Sequence, residues 1–257
     1  MILTIEIGNS TITLGGVEGE EIRFECRINT DRVKTSDTYC IDLKTLFEIY
    51  GVALPSIEGV IISSVVPQVM NSVRTAIRKL LDLEPLVVGP GLKTGLNIRL
   101  ENPGQMGAGL VAADVAALAQ YKPPLIIIDM GTATTMSVLD PDGAHLGGCL
   151  CPGVKISLDA LTARTSLLPG IQLDRPRQAV GRNTADAMRS GIMFGNAAML
   201  DGMIDRFAQE TGWDFTILAT GRLAERIAPL CRHEIIVDRH LVIKGLVALY
   251  RLNSLRA

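Results

Sequence analysis

No block of basic residues breaks this 257-residue chain, and its formal net charge is −2, which argues against a nucleic-acid surface as its main business. No stretch approaches the ~20 apolar residues that a membrane span needs. Nothing at the start resembles a signal peptide, because an apolar run begins at Ile2 and already carries Glu6, so the expected setting is cytoplasmic. The five cysteines (26, 40, 149, 151 and 231) form an odd set without a CxxC pair or histidines at zinc spacing, which fits buried reduced thiols. Cys149 and Cys151 stand two apart and would share a face of a strand, which keeps a metal or redox role open. His145, His233 and His240 are isolated from one another, and none lies in a motif that would make it a base.

Apolar residues, by contrast, make up 47% of the chain and charged residues only 20%, enough to bury a sizeable core. The most informative stretch is Leu125 to Thr135, LIIIDMGTATT. Its apolar run reads as a strand buried on both faces, with a carboxylate, Asp129, delivered to the turn where the strand ends. Gly131 lets the backbone approach a ligand closely, and Thr132, Thr134 and Thr135 offer hydroxyl and N–H donors. Asp129 is placed to hold a cation beside phosphate oxygens. This is the chemistry of half a nucleotide site.

The N-terminus repeats the design in ILTIEIGNSTIT, Ile2 to Thr13. At a constant offset of 123, Glu6 falls on Asp129, Gly8 on Gly131, Asn9 on Thr132 and Thr11 on Thr134. Each motif runs on into alternating residues and a Gly-containing acidic turn, Gly15 to Glu21 and Asp140 to Gly143, as a hairpin does. The plain alternative is two buried strands that each end in an ordinary acid-Gly turn. Two matched copies favour an internal duplication, with an N-terminal half over 1–118 and a C-terminal half over 119–257.

Between the motifs, strands and helices alternate, which indicates an α/β layer. A meander spans Ile2 to about Ile28, a loop Asn29 to Thr38, and a helix Tyr39 to Gly51. A strand runs from Gly59 to Val65, stopped by Pro67, and an amphipathic helix from Val69 to Leu81 presents Arg74, Arg78 and Lys79 to solvent. A strand follows at Pro85 to Gly89. Gly89 to Gly109 is the longest irregular stretch, and a loop of that length is usually functional; Lys93 and Arg99 in it are candidates to meet an anion. A helix over Val111 to Tyr121 ends at Pro123. Later, Ser157 reads as a helix cap with Pro169 closing that helix, GRNT at Gly181 to Thr184 opens a long helix rich in small residues, Phe215 to Gly221 is a strand, IIVD a short one, and Leu241 to Leu252 a closing helix.

Together these segments resemble the type III pantothenate kinase family. The resemblance covers essentially the whole chain: a DxGNT-type motif at Glu6 to Ser10, GPGxKTGL at Gly89 to Leu96, DxGTATT at Asp129 to Thr135, GGxxxPG at Gly147 to Gly153, GxNT at Gly181 to Thr184, and TG at Thr220 and Gly221. It implies a duplicated ribonuclease H-like, actin-like ATPase fold, α/β, with two mixed sheets flanked by helices. It further implies transfer of the γ-phosphoryl group of ATP to pantothenate, the first step toward coenzyme A, with Mg²⁺ and a monovalent cation, K⁺ or NH₄⁺. ATP and its phosphates would meet Glu6, Gly8, Asn9, Ser10, Thr11, Thr13, Thr132, Thr134, Thr220 and Gly221. Asp129 would hold the monovalent cation, and Glu6 would hold Mg²⁺ through water. Thr184 would contact pantothenate in a pocket at a homodimer interface, with the helix after it packing against the second subunit.

The departures from the family pattern all fall on or near ligands. The family's GADR motif, which supplies the proton-accepting carboxylate and a substrate arginine, is Gly107, Ala108, Gly109 and Leu110 here, and an expected tyrosine is Leu100. Asp114, five residues beyond Gly109, points roughly 140° away around a helix. Glu6 stands for the usual aspartate, and Arg222 for the second glycine of TGG. Three expectations follow. The chain is a pantothenate kinase with an altered base, or with a substrate that needs none; or it is a non-catalytic relative, a nucleotide-binding or regulatory subunit that could pair with an active paralogue; or it is a kinase of the same fold for another small hydroxylated acceptor.

Overall fold

The computed structural model describes residues 1–254. It divides into two compact units. The first comprises Met1–Gly95, Asn102–Ala116 and, of the closing segment, residues 242–254; the second comprises Leu96–Glu101 and Ala117–Leu241. Compared with the expected halves, the closing helix joins the first unit and a short piece of the long loop joins the second.

In the first unit, β1 (Ile2–Ile7) lies at the centre of a five-stranded sheet of order β3-β2-β1-β4-β5. It runs antiparallel to β2 (Thr11–Glu18) and parallel to β4 (Gly59–Ser64), with β3 (Glu21–Asn29) and β5 (Leu86–Val87) at the edges. In the second unit β6 (Leu125–Met130) takes the corresponding place, antiparallel to β7 (Ala133–Leu139) and parallel to β9 (Thr216–Thr220), in the order β10-β9-β6-β7-β8 with β8 (His145–Pro152) and β10 (Ile236–Val237) outermost. Element by element the second sheet repeats the first. The internal duplication, and with it the duplicated ribonuclease H-like architecture, is the observed fold.

β6 is apolar on both faces up to Asp129, whereas β1 is apolar on one face and carries on the other Glu6 and Thr4, whose buried hydroxyl donates to the Gly15 carbonyl at 3.1 Å. Leu3, Ile5 and Ile7 pack with α1 (Ser36–Ile49) and α2 (Pro67–Leu81) through Leu43, Phe47, Val73 and Ile77. On the second sheet Ile126, Ile128 and Met130 pack with α4 (Val154–Ala163) and α5 (Thr184–Thr211) through Leu158, Met193, Leu200 and Ile204. No helix among the described residues is long and apolar enough to cross a membrane.

Local chemistry shifts several boundaries. The first helix starts at Ser36, not Tyr39, because the Thr35 hydroxyl caps it by accepting from the Thr38 N–H at 3.3 Å. Pro67 opens α2 as its first residue; β4 has already ended at Ser64. Ser157 lies inside α4, with its hydroxyl donating to the Gly153 carbonyl, and Gly153 holds the cap position; the helix ends at Ala163, well before Pro169. A short helix over Ala224–Ile227, α6, follows β9.

Helix α3 (Ala108–Gln120) starts three residues earlier than its apolar pattern indicates, which places Gly109 and Leu110 in its first turn. It is closely approached by α7 (Leu241–Ser254): a Cβ on Gly245 would lie 1.8 Å from the Ala112 carbonyl oxygen, so only glycine fits there. Gly245→Ala is expected to force the two helices apart and lower stability by about 1–3 kcal/mol, the usual cost of overpacking, measured by urea denaturation.

Candidate functional site

In the first unit the strand order puts one carboxylate at the end of the central strand. Glu6 is half-buried and stands opposite Thr13 on β2 and alongside Ser63 on β4, so all three share one face. The Ser63 hydroxyl is buried without a hydrogen-bond partner among the described residues. The turn that follows is tied down by its own backbone and by a distant loop. The Gly8 N–H donates to the Thr11 carbonyl at 2.9 Å, the Thr30 N–H to the Ser10 carbonyl at 3.0 Å, and the Thr30 hydroxyl to the Gly8 carbonyl at 2.6 Å. Asn9 and Ser10 project into solvent, while Thr11 and Thr13 are half-buried.

That loop adds a group that the motif did not contain. Arg32 donates through Nη2 to the Asn9 side-chain oxygen at 3.2 Å, bringing a guanidinium to the turn. The buried Tyr39 hydroxyl fixes the loop by donating to the Asp31 carbonyl at 2.7 Å. The contact joins residues 23 apart, and nothing local in the sequence pairs them.

In the second unit Asp129 stands opposite Thr135 on β7 and alongside Thr220 on β9. Removal from water pushes its carboxyl up to about 6, since nothing resolved in its surroundings offsets the burial. Here the constant offset fails by one residue: Glu6 pairs with Thr13 across four intervening turn residues beyond Ile7↔Ile12, whereas Asp129 pairs with Thr135 across three beyond Met130↔Thr134. The counterpart of Thr13 is therefore Thr135. Thr134 has no exposed surface and shares the buried face with Met130, while Thr132 is exposed in the turn. The Thr135 hydroxyl is buried without a hydrogen-bond partner among the described residues, on the face that carries Asp129.

Two glycines close around this turn. A Cβ on Gly153, at the start of α4, would lie 2.1 Å from the Thr132 carbonyl oxygen, and one on Gly221, after Thr220, would lie 2.7 Å from the Met130 carbonyl. Gly221 also has φ +90°, a conformation that side-chain-bearing residues rarely adopt. The cradle accordingly needs glycine at both places, and Thr220, buried at its edge, is held within it. Arg222 follows on the exposed side.

An oxygen-rich set of a carboxylate and an orphaned hydroxyl suits a hard cation such as K⁺ better than a soft metal. No group of three or more His, Cys, Asp or Glu able to cage a metal occurs among the described residues. The Cys149 thiol is pushed up to about 11, first by burial and then by the neighbouring Cys151, so it stays protonated at neutral pH.

The acceptor-side positions are divided. Gly107, Ala108, Gly109 and Leu110 form the start of α3, where the Val111 N–H donates to the Gly107 carbonyl at 3.1 Å, and they carry neither a carboxylate nor a guanidinium. Asp114 is fully buried on the same helix. A Cβ on Gly109 would stand 3.3 Å from Oε1 of Glu6. Leu100 belongs to the second unit, where it lies against Gly147. Thr184 is the exposed first residue of α5, whose Asn183 cap accepts from the Asp186 N–H at 2.9 Å. Arg99 is engaged within the second unit, donating at 2.8 Å to the buried Asp140.

The raised Asp129 pKa has a signed consequence. Between the ordinary value of 3.8 and about 6 the folded chain holds a proton that the unfolded chain has released, so this group's contribution to stability is lost as pH rises through that window. In buffer free of K⁺ and NH₄⁺, the stability difference between Asp129→Asn and the parent is expected to grow in favour of the variant from pH 4 to about pH 6.5 and then level off, measured by urea denaturation.

Comparison with known proteins places these features in a family. Residues 2–206 match the model of the type III pantothenate kinase family. A type III pantothenate kinase from Exiguobacterium sp. is 42% identical over 254 residues, spanning 99% of this chain and 100% of its own, and one from Brevibacillus brevis is 42% identical over 256 residues with the same coverage. Among solved structures, a ROK family glucokinase from Streptomyces griseus in complex with glucose and AMPPNP superposes with a TM-score of 0.51 at 12% identity, covering 98% of this chain and 99% of its own. The (R)-2-hydroxyglutaryl-CoA dehydratase component A of Acidaminococcus fermentans does so with a TM-score of 0.55 at 13% identity, covering 97% and 96%. At such identities the two structures speak for the fold alone. The end-to-end match, the repeated sheet and the two carboxylate-bearing turns together establish that this chain belongs to the type III pantothenate kinase family.

Proposed function

We infer that the chain phosphorylates pantothenate with ATP, giving 4′-phosphopantothenate in the first step of coenzyme A biosynthesis. The observation that carries this is full-length identity of 42% to type III pantothenate kinases in a chain that keeps both strand-end carboxylates. The first turn, with Glu6, Gly8, Asn9, Ser10, Thr11 and Thr13, serves phosphate, joined by Arg32. The second turn, with Thr132, the backbone at Thr134, Thr220 and Gly221, serves the nucleotide. Asp129 with Thr135 holds a monovalent cation, and Glu6 meets Mg²⁺ through water. A bound Mg²⁺ supplies neutralisation of charge on the transferring phosphoryl group.

Thr184 and the exposed start of α5 serve the acceptor, and α5 packs against a second copy in a homodimer. The setting is the cytoplasm. A second reading, a nucleotide-binding relative with little turnover, draws on one observation: the first turn of α3 has Gly109 and Leu110 and so lacks a proton acceptor and an arginine of its own. Losing a base typically costs ~10²- to 10⁴-fold in rate, and losing a charge-assisted hydrogen bond roughly 1.5–3 kcal/mol of binding.

A coupled assay of ADP release with ATP, Mg²⁺, K⁺ and pantothenate separates the two. Pantothenate-dependent turnover, higher in K⁺ than in Na⁺ and with that preference abolished in Asp129→Asn, is expected. ATP binding by calorimetry without turnover decides for the second reading. Light scattering is expected to give twice the chain mass.

A further inference from the structure

Two hollows on the second unit differ in charge. One, of about 250 Å³, has Asp174, Glu225, Arg175 and Arg226 as its charged lining, and Arg226 donates to the Leu173 carbonyl at 3.0 Å. Its two acids balance its two bases. The other, of about 220 Å³, is lined by Pro176, Arg177, Gln178, Arg182, Asp186 and Arg189, all within the second unit. Three guanidinium groups there meet a single carboxylate, and that carboxylate is already committed. Asp186 accepts from Arg189 Nη1 at 2.7 Å on one oxygen and from the Asn183 side-chain amide at 2.8 Å on the other.

What remains is a pair of cations without a counter-charge. Arg177 and Arg182 are exposed, and neither has a hydrogen-bond or ion-pair partner among the described residues. Their backbone is nevertheless fixed. The buried Ser190 hydroxyl donates to the Ala179 carbonyl at 2.6 Å, and the Gln178 side-chain amide donates to the Val180 carbonyl at 2.8 Å. A Cβ on Gly181 would lie 2.2 Å from the Ala187 nitrogen, so the segment lies hard against the first turn of α5. Cations on a free loop would spread apart to relieve their repulsion, whereas here the segment that carries two of them is tied to the helix that carries the third. An anion between them removes that repulsion.

We propose that this hollow is a binding site for a small oxyanion carrying two or more charges, gripped by Arg177 and Arg182 while Arg189 holds Asp186 aside. A guanidinium presents its N–H donors in a planar fork, the geometry that phosphoryl and carboxylate oxygens accept. The volume of about 220 Å³ falls below the roughly 300–1,000 Å³ of pockets for drug-sized ligands, which suits a charged group of a few heavy atoms. Pro176 is the one apolar residue of the lining, so a neutral ligand finds little surface to bury. The inference stands apart from the kinase reading, since the lining contains no residue of either strand-end turn and not Thr184.

The test uses the full chain without Mg²⁺ or nucleotide. Arginines are labelled with phenylglyoxal at low conversion and located by mass spectrometry, in pyrophosphate, citrate or acetate at matched ionic strength. Pyrophosphate, citrate or both are expected to slow the labelling of Arg177 and Arg182 about fivefold or more, and acetate, with its single charge, less than about twofold. Protection by pyrophosphate alone identifies a phosphoryl ligand, by citrate alone a polycarboxylate, and by both a site that reads charge. Because the readout is local, single variants then measure each grip. In R177Q the concentration of anion that half-protects Arg182 should rise about tenfold, and in R182Q that for Arg177 likewise, through loss of one charge-assisted hydrogen bond.

The proposal is overturned if neither pyrophosphate nor citrate protects Arg177 and Arg182, or if acetate protects them equally, which marks a diffuse charged surface. Protection confined to Arg32, the guanidinium at the first phosphate turn, overturns it as well. So does half-protection in R177Q and R182Q within about twofold of the parent's. Should either variant fail to fold, the labelling pattern of the parent decides. Turnover of pantothenate is read in a separate assay, so the failure of one reading leaves the other standing.

Discussion

The layout of both candidate turns depends on where the burial of a central strand stops. β1 and β6 are buried almost to their ends, and in each the next-to-last residue is an acid flanked by hydroxyl-bearing residues on both neighbours: Thr13 and Ser63 about Glu6, Thr135 and Thr220 about Asp129. Because side chains alternate between faces, a slip of one residue in either ladder would bury the acid against the core and expose isoleucine. The apolar residues beneath each carboxylate therefore fix its position as firmly as any direct contact. The cost of holding an acid there is visible in Asp129, whose carboxyl is pushed up to about 6 by burial.

Much of this was legible beforehand because it is written in period and punctuation. The buried runs, the acid-Gly turns and the duplication follow from apolar patterning that no tertiary contact needs to rescue. What escaped was decided by one residue or by distance. The second turn is one residue shorter than the first, so a constant offset matched Thr11 to Thr134 where the ladder makes Thr135 the residue that shares a face with Asp129. A hydroxyl count cannot detect that difference, since three threonines stand in the stretch. Arg32 reaches Asn9 through a loop anchored by Tyr39, a fold-level contact without a local signal. Gly109 resembles loop in composition, yet it lies in a helix, because the packing of α3 overrides the poor helix propensity of glycine.

The two halves also show how copies of one layout diverge by small changes in reach. The second keeps a short acid beside a buried hydroxyl, that of Thr135, without a hydrogen-bond partner among the described residues. The first carries an acid one methylene longer, beside Thr13 and Ser63.

The crossing of the chain between the units carries a consequence for how the protein is made. Helix α7 comes from the end of the chain but packs, through Gly245, against α3 of the first unit. An emerging polypeptide can complete the second unit's sheet while the ribosome still holds the segment that the first unit needs. The first unit is thus discontinuous in sequence, and α3 gains the support of α7 only after the second unit's strands have been made.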